Sequence, residues 1–296
     1  MSATDDAHLQ HSRPNPRLLA SCWTWSGPAG PGIADERSPI PIEERLDAIV
    51  QTGWRAVGFA HADLLFLRKR VGYSKLRAML SDAGIERVEV EFLSDWWAPG
   101  ERGRRAETVA QELFEAAAEL GSPLVKLGAT LHPDYPREPR PLNWQLAEGL
   151  ATAAGHAEQF NLDLAFEALS GSHVESVSEI VDIVDLASAA NTGIVLDLFH
   201  MARAGESISG DPKQLRGSRL LMVELGDAPR LENGKVGDRC LPGEGDLDIE
   251  GFISAVLHLG WDGWWGVEII SEALRQLPIV DGLTRVREGI LRAFPT

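Results

Sequence analysis

A single (β/α)8 barrel is the fold class that this sequence predicts. Three observations predict it: short apolar runs alternate with longer amphipathic stretches along the chain, each of eight such runs is followed by a helical pattern, and 296 residues suit one barrel. Strands separated by helices are not joined by hairpins, so they run parallel, and a parallel sheet needs helices to cover it. The competing doubly wound sheet carries a glycine-rich turn after its first strand. Here that turn reads SGPAGPG, with prolines where a dinucleotide loop needs free N–H groups.

The first strand, Leu18–Trp25, is apolar and ends at this Pro/Gly-rich turn. Ile42–Thr52 follows, with Ile42, Leu46 and Ile49 at helical spacing. Trp54–His61 and Arg87–Leu93 are the second and third strands, separated by the helix Ser74–Ala83. Arg104–Leu120 leads into the fourth strand, Leu124–Thr130, and Leu142–Phe160 into the fifth, Leu162–Ala168. Ser176–Ala190 precedes the sixth, Gly193–Phe199, and a short helical piece at Pro212–Leu215 precedes the seventh, Leu220–Leu225. Ile249–Leu259, the eighth strand Trp264–Ile270 and a closing helix Leu283–Phe294 complete the pattern. Residues 1–15 read as a flexible tail and 16–296 as one barrel domain.

Hydrophobic residues make up 44% of the chain and charged ones 24%, the proportions of a globular protein. Forty-four acids against twenty-eight Lys and Arg give a formal net charge of −16, which repels phosphate backbones and anionic lipid. Neither nucleic acid nor membrane is therefore expected as a partner. Cys22 and Cys240 sit in no CxxC or Cys/His pattern, so a disulfide scaffold or zinc module has no support. The polar, acidic N-terminus does not read as a signal peptide, and a cytoplasmic location is expected.

Barrel active sites form at the C-terminal strand ends, and the last four strands each break their apolar run there with an acid: Glu167, Asp197, Glu224 and Glu268. A carboxylate after several apolar residues is costly unless it is paired or binds a cation. Neighbouring strands lie about 4.8 Å apart, so four consecutive acids converge and repel unless a counter-ion joins them. Oxygen ligands point to Mn²⁺ or Mg²⁺, with Co²⁺ as a further candidate, in preference to Zn²⁺. His200 follows Asp197 as D-x-x-H. His61, His132, Trp96 and Trp97 also fall at predicted C-terminal ends, where they could line a polyol pocket or simply pack a loop. The PGEGD of Pro242 to Asp246 reads as a tight loop, with too few glycines for a phosphate cradle.

These segments, Glu167, the D-x-x-H, VELGDAP, PGEGD and the Glu268 of GVEI, resemble the xylose-isomerase-like barrels of the sugar phosphate isomerase/epimerase family. That superfamily includes ketose 3-epimerases, inosose dehydratase, 3-dehydroshikimate dehydratase and, more remotely, endonuclease IV. The resemblance spans nearly the whole chain and implies a metal held by Glu167, Asp197, Glu224 and Glu268, with His200 facing substrate. Glu224 is a departure, because ketose epimerases usually carry His there and some dehydratase-like members Gln. Four carboxylates overcharge one dication, so either Glu224 turns aside or Arg230, Arg239 or Lys126 neutralises it. Arg230 lies six residues past Glu224, as a substrate-binding arginine does in the epimerases, whereas His173 replaces their second glutamate.

The implied chemistry begins at a C–H beside a carbonyl on a small sugar or polyol. A bound metal polarises the carbonyl, Glu167 and Glu268 act as base and acid on opposite faces, and His200 binds a hydroxyl. Returning the proton gives epimerisation or isomerisation, the favoured outcome on sequence alone; losing a β-hydroxyl gives dehydration, the alternative. An endonuclease would need zinc-binding His clusters and a basic face that this chain lacks. A barrel that binds without turnover is the rival from another class, and a homo-oligomer is compatible with everything above.

Overall fold

The computed structural model describes residues 16–129, 141–208 and 210–295. Residues 1–15, read as a tail, and His132 lie outside the described residues. Eight strands, β1 (Leu18–Ala20), β2 (Ala56–Ala60), β3 (Arg87–Leu93), β4 (Leu124–Leu127), β5 (Asp163–Phe166), β6 (Thr192–Asp197), β7 (Leu220–Leu225) and β8 (Trp265–Val267), close into a barrel in sequence order. All eight pairings are parallel, with β1 closing on β8. The helices are α1 (Ile42–Thr52), α2 (His61–Arg70), α3 (Tyr73–Asp82), α4 (Gly100–Leu120), α5 (Asn143–Glu158), α6 (Val177–Ala187), α7 (Leu198–Ala204), α8 (Ile249–His258), α9 (Glu272–Arg275) and α10 (Ile279–Arg292).

The strands are buried on both faces, which is why they read as nearly continuous apolar runs. The predicted β3 and β7 coincide with the observed strands, and α1 with its helix. Several other predicted strands ran too long, because apolar residues continue past the last ladder hydrogen bond into the loops above. Leu18–Trp25 becomes a three-residue strand and then a 3-10 turn at Cys22–Thr24. Pro212–Leu215 is likewise a 3-10 turn. Helices α2, α7 and α9 were not predicted: α2 follows β2 without a loop residue, and α7 follows β6 in the same way.

Two layers fill the inside of the barrel, and they position the site. Leu124, Ala165, Val195 and Met222 form a small apolar plug separate from the main core between sheet and helices. Side chains on a strand repeat every second residue, so Lys126, Glu167, Asp197 and Glu224, each two residues further on, point into the same interior one layer up. That upper layer is charged, and it lies at the C-terminal end of the strands.

Candidate metal centre

Asp197 ends β6 and also caps α7, its Oδ1 accepting the backbone N–H of Phe199 at 2.6 Å and of His200 at 3.1 Å. This capping turn is the physical content of the D-x-x-H spacing, because it folds His200 back over the acid. Glu167 follows β5, anchored through its N–H to the Leu127 carbonyl, and Glu268 follows β8, anchored to that of Leu225. Ligand atoms of Glu167, Asp197, His200 and Glu268 all lie within 4.8 Å of one another. The three acids are almost completely buried.

Two cations serve this cluster from opposite sides. Arg239, on the loop between β7 and α8, donates through Nη2 to Asp197 Oδ2 at 2.9 Å and Glu268 Oε2 at 2.6 Å. Its Nη1 holds the Glu268 carbonyl at 2.7 Å, and its guanidinium lies over the Phe199 ring at 4.3 Å. Gly226 leaves room for this guanidinium, since a Cβ would come within 2.9 Å of Arg239 Nη1. Lys126 approaches from below, with Nζ 2.6 Å from Glu91, 3.0 Å from both oxygens of Glu224, 3.5 Å from Glu268 and 3.6 Å from Glu167.

The acids respond unequally. Burial pushes the Glu167 carboxyl up to about 8, reinforced by Glu268 and Asp197 and only partly offset by Lys126. Burial opposes ionisation of Glu268 and Asp197 too. Lys126 and Arg239 nevertheless hold Glu268 below the usual carboxylate range, and Arg239, with the backbone N–H of His200, does the same for Asp197. Burial pulls the Lys126 ammonium down, but its carboxylate neighbours outweigh that and it keeps its proton. His200 is pushed down to about 4, mainly by burial, so it is neutral.

The tautomer of that neutral ring is fixed by Ser170. The Ser170 backbone N–H donates to His200 Nδ1 at 3.1 Å, a closer contact than the 3.4 Å approach of Arg239 Nη2 to Nε2, so Nδ1 is the acceptor and Nε2 carries the hydrogen. His200 Nε2 lies 4.0 Å from Glu167 Oε1. In that tautomer Nε2 is a donor, so the three carboxylates are the groups of this cluster that would hold a metal.

The residues fit a hard dication. Glu167 Oε1 is buried and has no hydrogen-bond partner among the described residues, an acceptor aimed into the cluster. Among the described residues the five buried acids Glu91, Glu167, Asp197, Glu224 and Glu268 share two cations, Lys126 and Arg239, so a dication among them would favour their ionised forms. An all-oxygen donor set suits Mn²⁺ or Mg²⁺.

Other expected site residues are placed elsewhere. Glu224, expected as a fourth ligand, turns aside to Lys126 and Ser21 and is outside the cluster, and Lys126 is the base that it meets. His61 pairs with Glu112 of α4 at 2.7 Å, held between helices. Arg230 is exposed and lines a groove of about 460 Å³ beside α7, where its backbone N–H donates to Asp246; it does not reach the acids. Trp96 and Trp97 donate to the carbonyls of Gly128 and Ala129, and their loop packs so tightly on α5 that a Cβ at Gly149 would meet Trp97 at 2.8 Å. Both contacts tie the loop to the residues that follow β4. His173 stacks edge-on against Trp97. The PGEGD segment is the tight loop expected, its Gly243, Gly245 and Leu247 amides all bound to the Asp227 carboxylate.

Glu91, Ser21 and Ser170 were missed. Glu91 had a readable signal: in RVEVEFL the charged residues alternate with valines, and in a strand whose outer face lies under helices the charged face must point into the barrel.

Comparison with known proteins agrees with this architecture. The family model described as a xylose isomerase-like TIM barrel matches residues 46–291. A 3-dehydroshikimate dehydratase from Pseudomonas aeruginosa is 31% identical over 275 residues, covering 86% of this chain and 42% of the relative. One from Pseudomonas putida is 28% identical, covering 80% and 37%, so this chain spans about two fifths of the length of either. An inosose isomerase from Bacillus subtilis is 27% identical over 136 residues, 45% of this chain and 49% of the relative. Among solved structures, a xylose isomerase-like TIM barrel/4-hydroxyphenylpyruvate dioxygenase fusion protein superposes with TM-score 0.74 at 23% identity, over 95% of this chain and 43% of that one. The IOLI protein with a bound zinc atom gives TM-score 0.78 at 16% identity, over 94% and 97%. With this closed eight-stranded barrel and this family match, the chain belongs to the xylose isomerase-like TIM barrel family.

Proposed function

We propose that this chain is a divalent-metal-dependent lyase that removes water from a small cyclic hydroxy-ketone of the dehydroshikimate class. Its metal is Mn²⁺ or Mg²⁺, held by Glu167, Asp197 and Glu268. When bound, the ion polarises a substrate carbonyl and so acidifies the adjacent C–H. The chain's own residues do the rest. Glu167 takes the C–H proton through Oε1 and returns it to the departing hydroxyl, which leaves as water; His200 Nε2–H, set by Ser170, hydrogen-bonds that hydroxyl; Arg239 keeps Asp197 and Glu268 ionised and in place.

The observation that carries this reading is the inequality of the two glutamates. Epimerisation needs an acid and a base on opposite faces. Glu268 is tied to both Arg239 and Lys126 and held ionised, a poor proton donor, whereas Glu167 is poised to gain and lose a proton. One competent carboxylate beside a neutral histidine suits elimination. The dehydratase relatives, which cover most of this chain, support the same choice. The isomerase reading draws on the inosose isomerase relative, which covers less of it. Turnover of 3-dehydroshikimate in heavy water, followed by product mass, decides between them. The lyase gives a product lighter by one water with a new ultraviolet band; product of unchanged formula carrying solvent deuterium would transfer the assignment to isomerase or epimerase.

A further inference from the structure

Beneath the metal cluster lies a second group of carboxylates whose oxygens are already taken. Glu224 Oε1 accepts from Ser21 Oγ at 3.0 Å, and both its oxygens accept from Lys126 Nζ at 3.0 Å. Glu91 meets the same ammonium at 2.6 Å through Oε2, and its Oε1 faces the Cys22 N–H at 3.4 Å. Lys126 and Glu224 are almost fully buried, with 2% and 0% exposure, so neither has water to turn to. Gly266 is part of the arrangement, because a Cβ there would come within 2.9 Å of Glu224 Cγ. Glu167, by contrast, keeps an oxygen without a partner, and Glu268 gives Lys126 only a long contact at 3.5 Å.

We propose that Lys126 is a positioning residue that takes the β7 carboxylate out of the metal set. Its ammonium acts as a built-in cation for Glu91 and Glu224, so Glu167, Asp197 and Glu268 would hold the metal without the β7 carboxylate. This rests on the metal-dependent reading above. It differs from what four consecutive strand-end acids imply, which is four protein ligands. It also gives Lys126 a role with a distinct signature: removing the lysine should strengthen metal binding, because it frees Glu224 to ligate and deletes a neighbouring positive charge. A merely structural lysine would have no such effect.

The test is a calorimetric titration of Mn²⁺ into the metal-stripped full chain. Wild type should bind one equivalent, and Glu224→Gln should bind it with affinity within about threefold of wild type, whereas Asp197→Ala should lose about a hundredfold or more. Lys126→Met should bind about tenfold more tightly than wild type, and most of that gain should be lost in Lys126→Met/Glu224→Gln, since the share that comes from Glu224 ligation runs through that pair. Loss of affinity in Glu224→Gln as large as in Asp197→Ala would overturn the inference and leave the metal-dependent reading standing. A folded Lys126→Met with wild-type affinity would do the same. No Mn²⁺ binding by wild type would overturn both. Should Lys126→Met fail to fold, the comparison of Glu224→Gln with Asp197→Ala carries the test alone.

Discussion

Two groups of carboxylates share one barrel interior, and they have been neutralised in different ways. The lower group, Glu91 and Glu224, is closed on Lys126, with the Ser21 hydroxyl adding to the Glu224 contacts. The upper group, Glu167, Asp197 and Glu268, has Arg239 along one edge and an open acceptor at Glu167 Oε1. A buried acid that is fully paired contributes architecture; one left incompletely paired is poised to bind a cation or move a proton. Proximity to the strand ends alone does not separate the groups, since Asp197 and Glu224 are direct partners in the β6–β7 register.

The largest break in this comparison should come from Glu167. Glu167→Gln keeps the volume and removes the base, and turnover should fall by about 10²–10⁴ with the fold intact and with no rescue by excess Mn²⁺. Single-turnover rates against circular dichroism check this, and a wild-type rate would remove Glu167 from proton transfer. His200→Gln should cost less, about 10–100-fold, because it disturbs the donor to the leaving group while sparing all three metal ligands. A steeper loss accompanied by loss of Mn²⁺ would make His200 a ligand instead.

Metal affinity should also depend on pH in a direction set by Glu167. Its carboxyl is held at about 8 in the metal-free chain, so below that pH an incoming dication must displace a proton. Affinity should therefore rise by up to about tenfold per pH unit between pH 6 and 8, then level off. Calorimetry in buffers of different ionisation enthalpy would report the released proton, and a flat profile would contradict the assignment. The smallest effect belongs to the lower group: Gly266→Ala presses a methyl on Glu224 and should destabilise the fold by about 1–3 kcal/mol, read as a lower melting temperature. An unchanged melting temperature would show that the lower group yields without strain.

The barrel and the upper group were legible in the sequence for the same reason. Parallel strands buried on both faces read as apolar runs, so Glu167, Asp197 and Glu268 stood out by interrupting them. Glu224 stood out by the same interruption and was expected among the ligands; its partner was harder to read. Lys126 and Arg239 were two of three bases that could have met Glu224, and only the register of β4 against its neighbours and the path of the β7–α8 loop decide between them. Ser170 reaches His200 across thirty residues of sequence through a loop contact that no periodicity announces. Helices α2 and α7 escaped because each starts on the residue after its strand, so the apolar run of the strand passes into the helix without a turn signal.

The central claim is that the upper group works only with a dication in it. The most direct measurement is turnover of 3-dehydroshikimate by chelator-stripped protein, before and after stoichiometric Mn²⁺ is restored. Activity absent from the stripped chain and recovered with one equivalent is the predicted result. Full activity in protein shown by elemental analysis to be metal-free would contradict it.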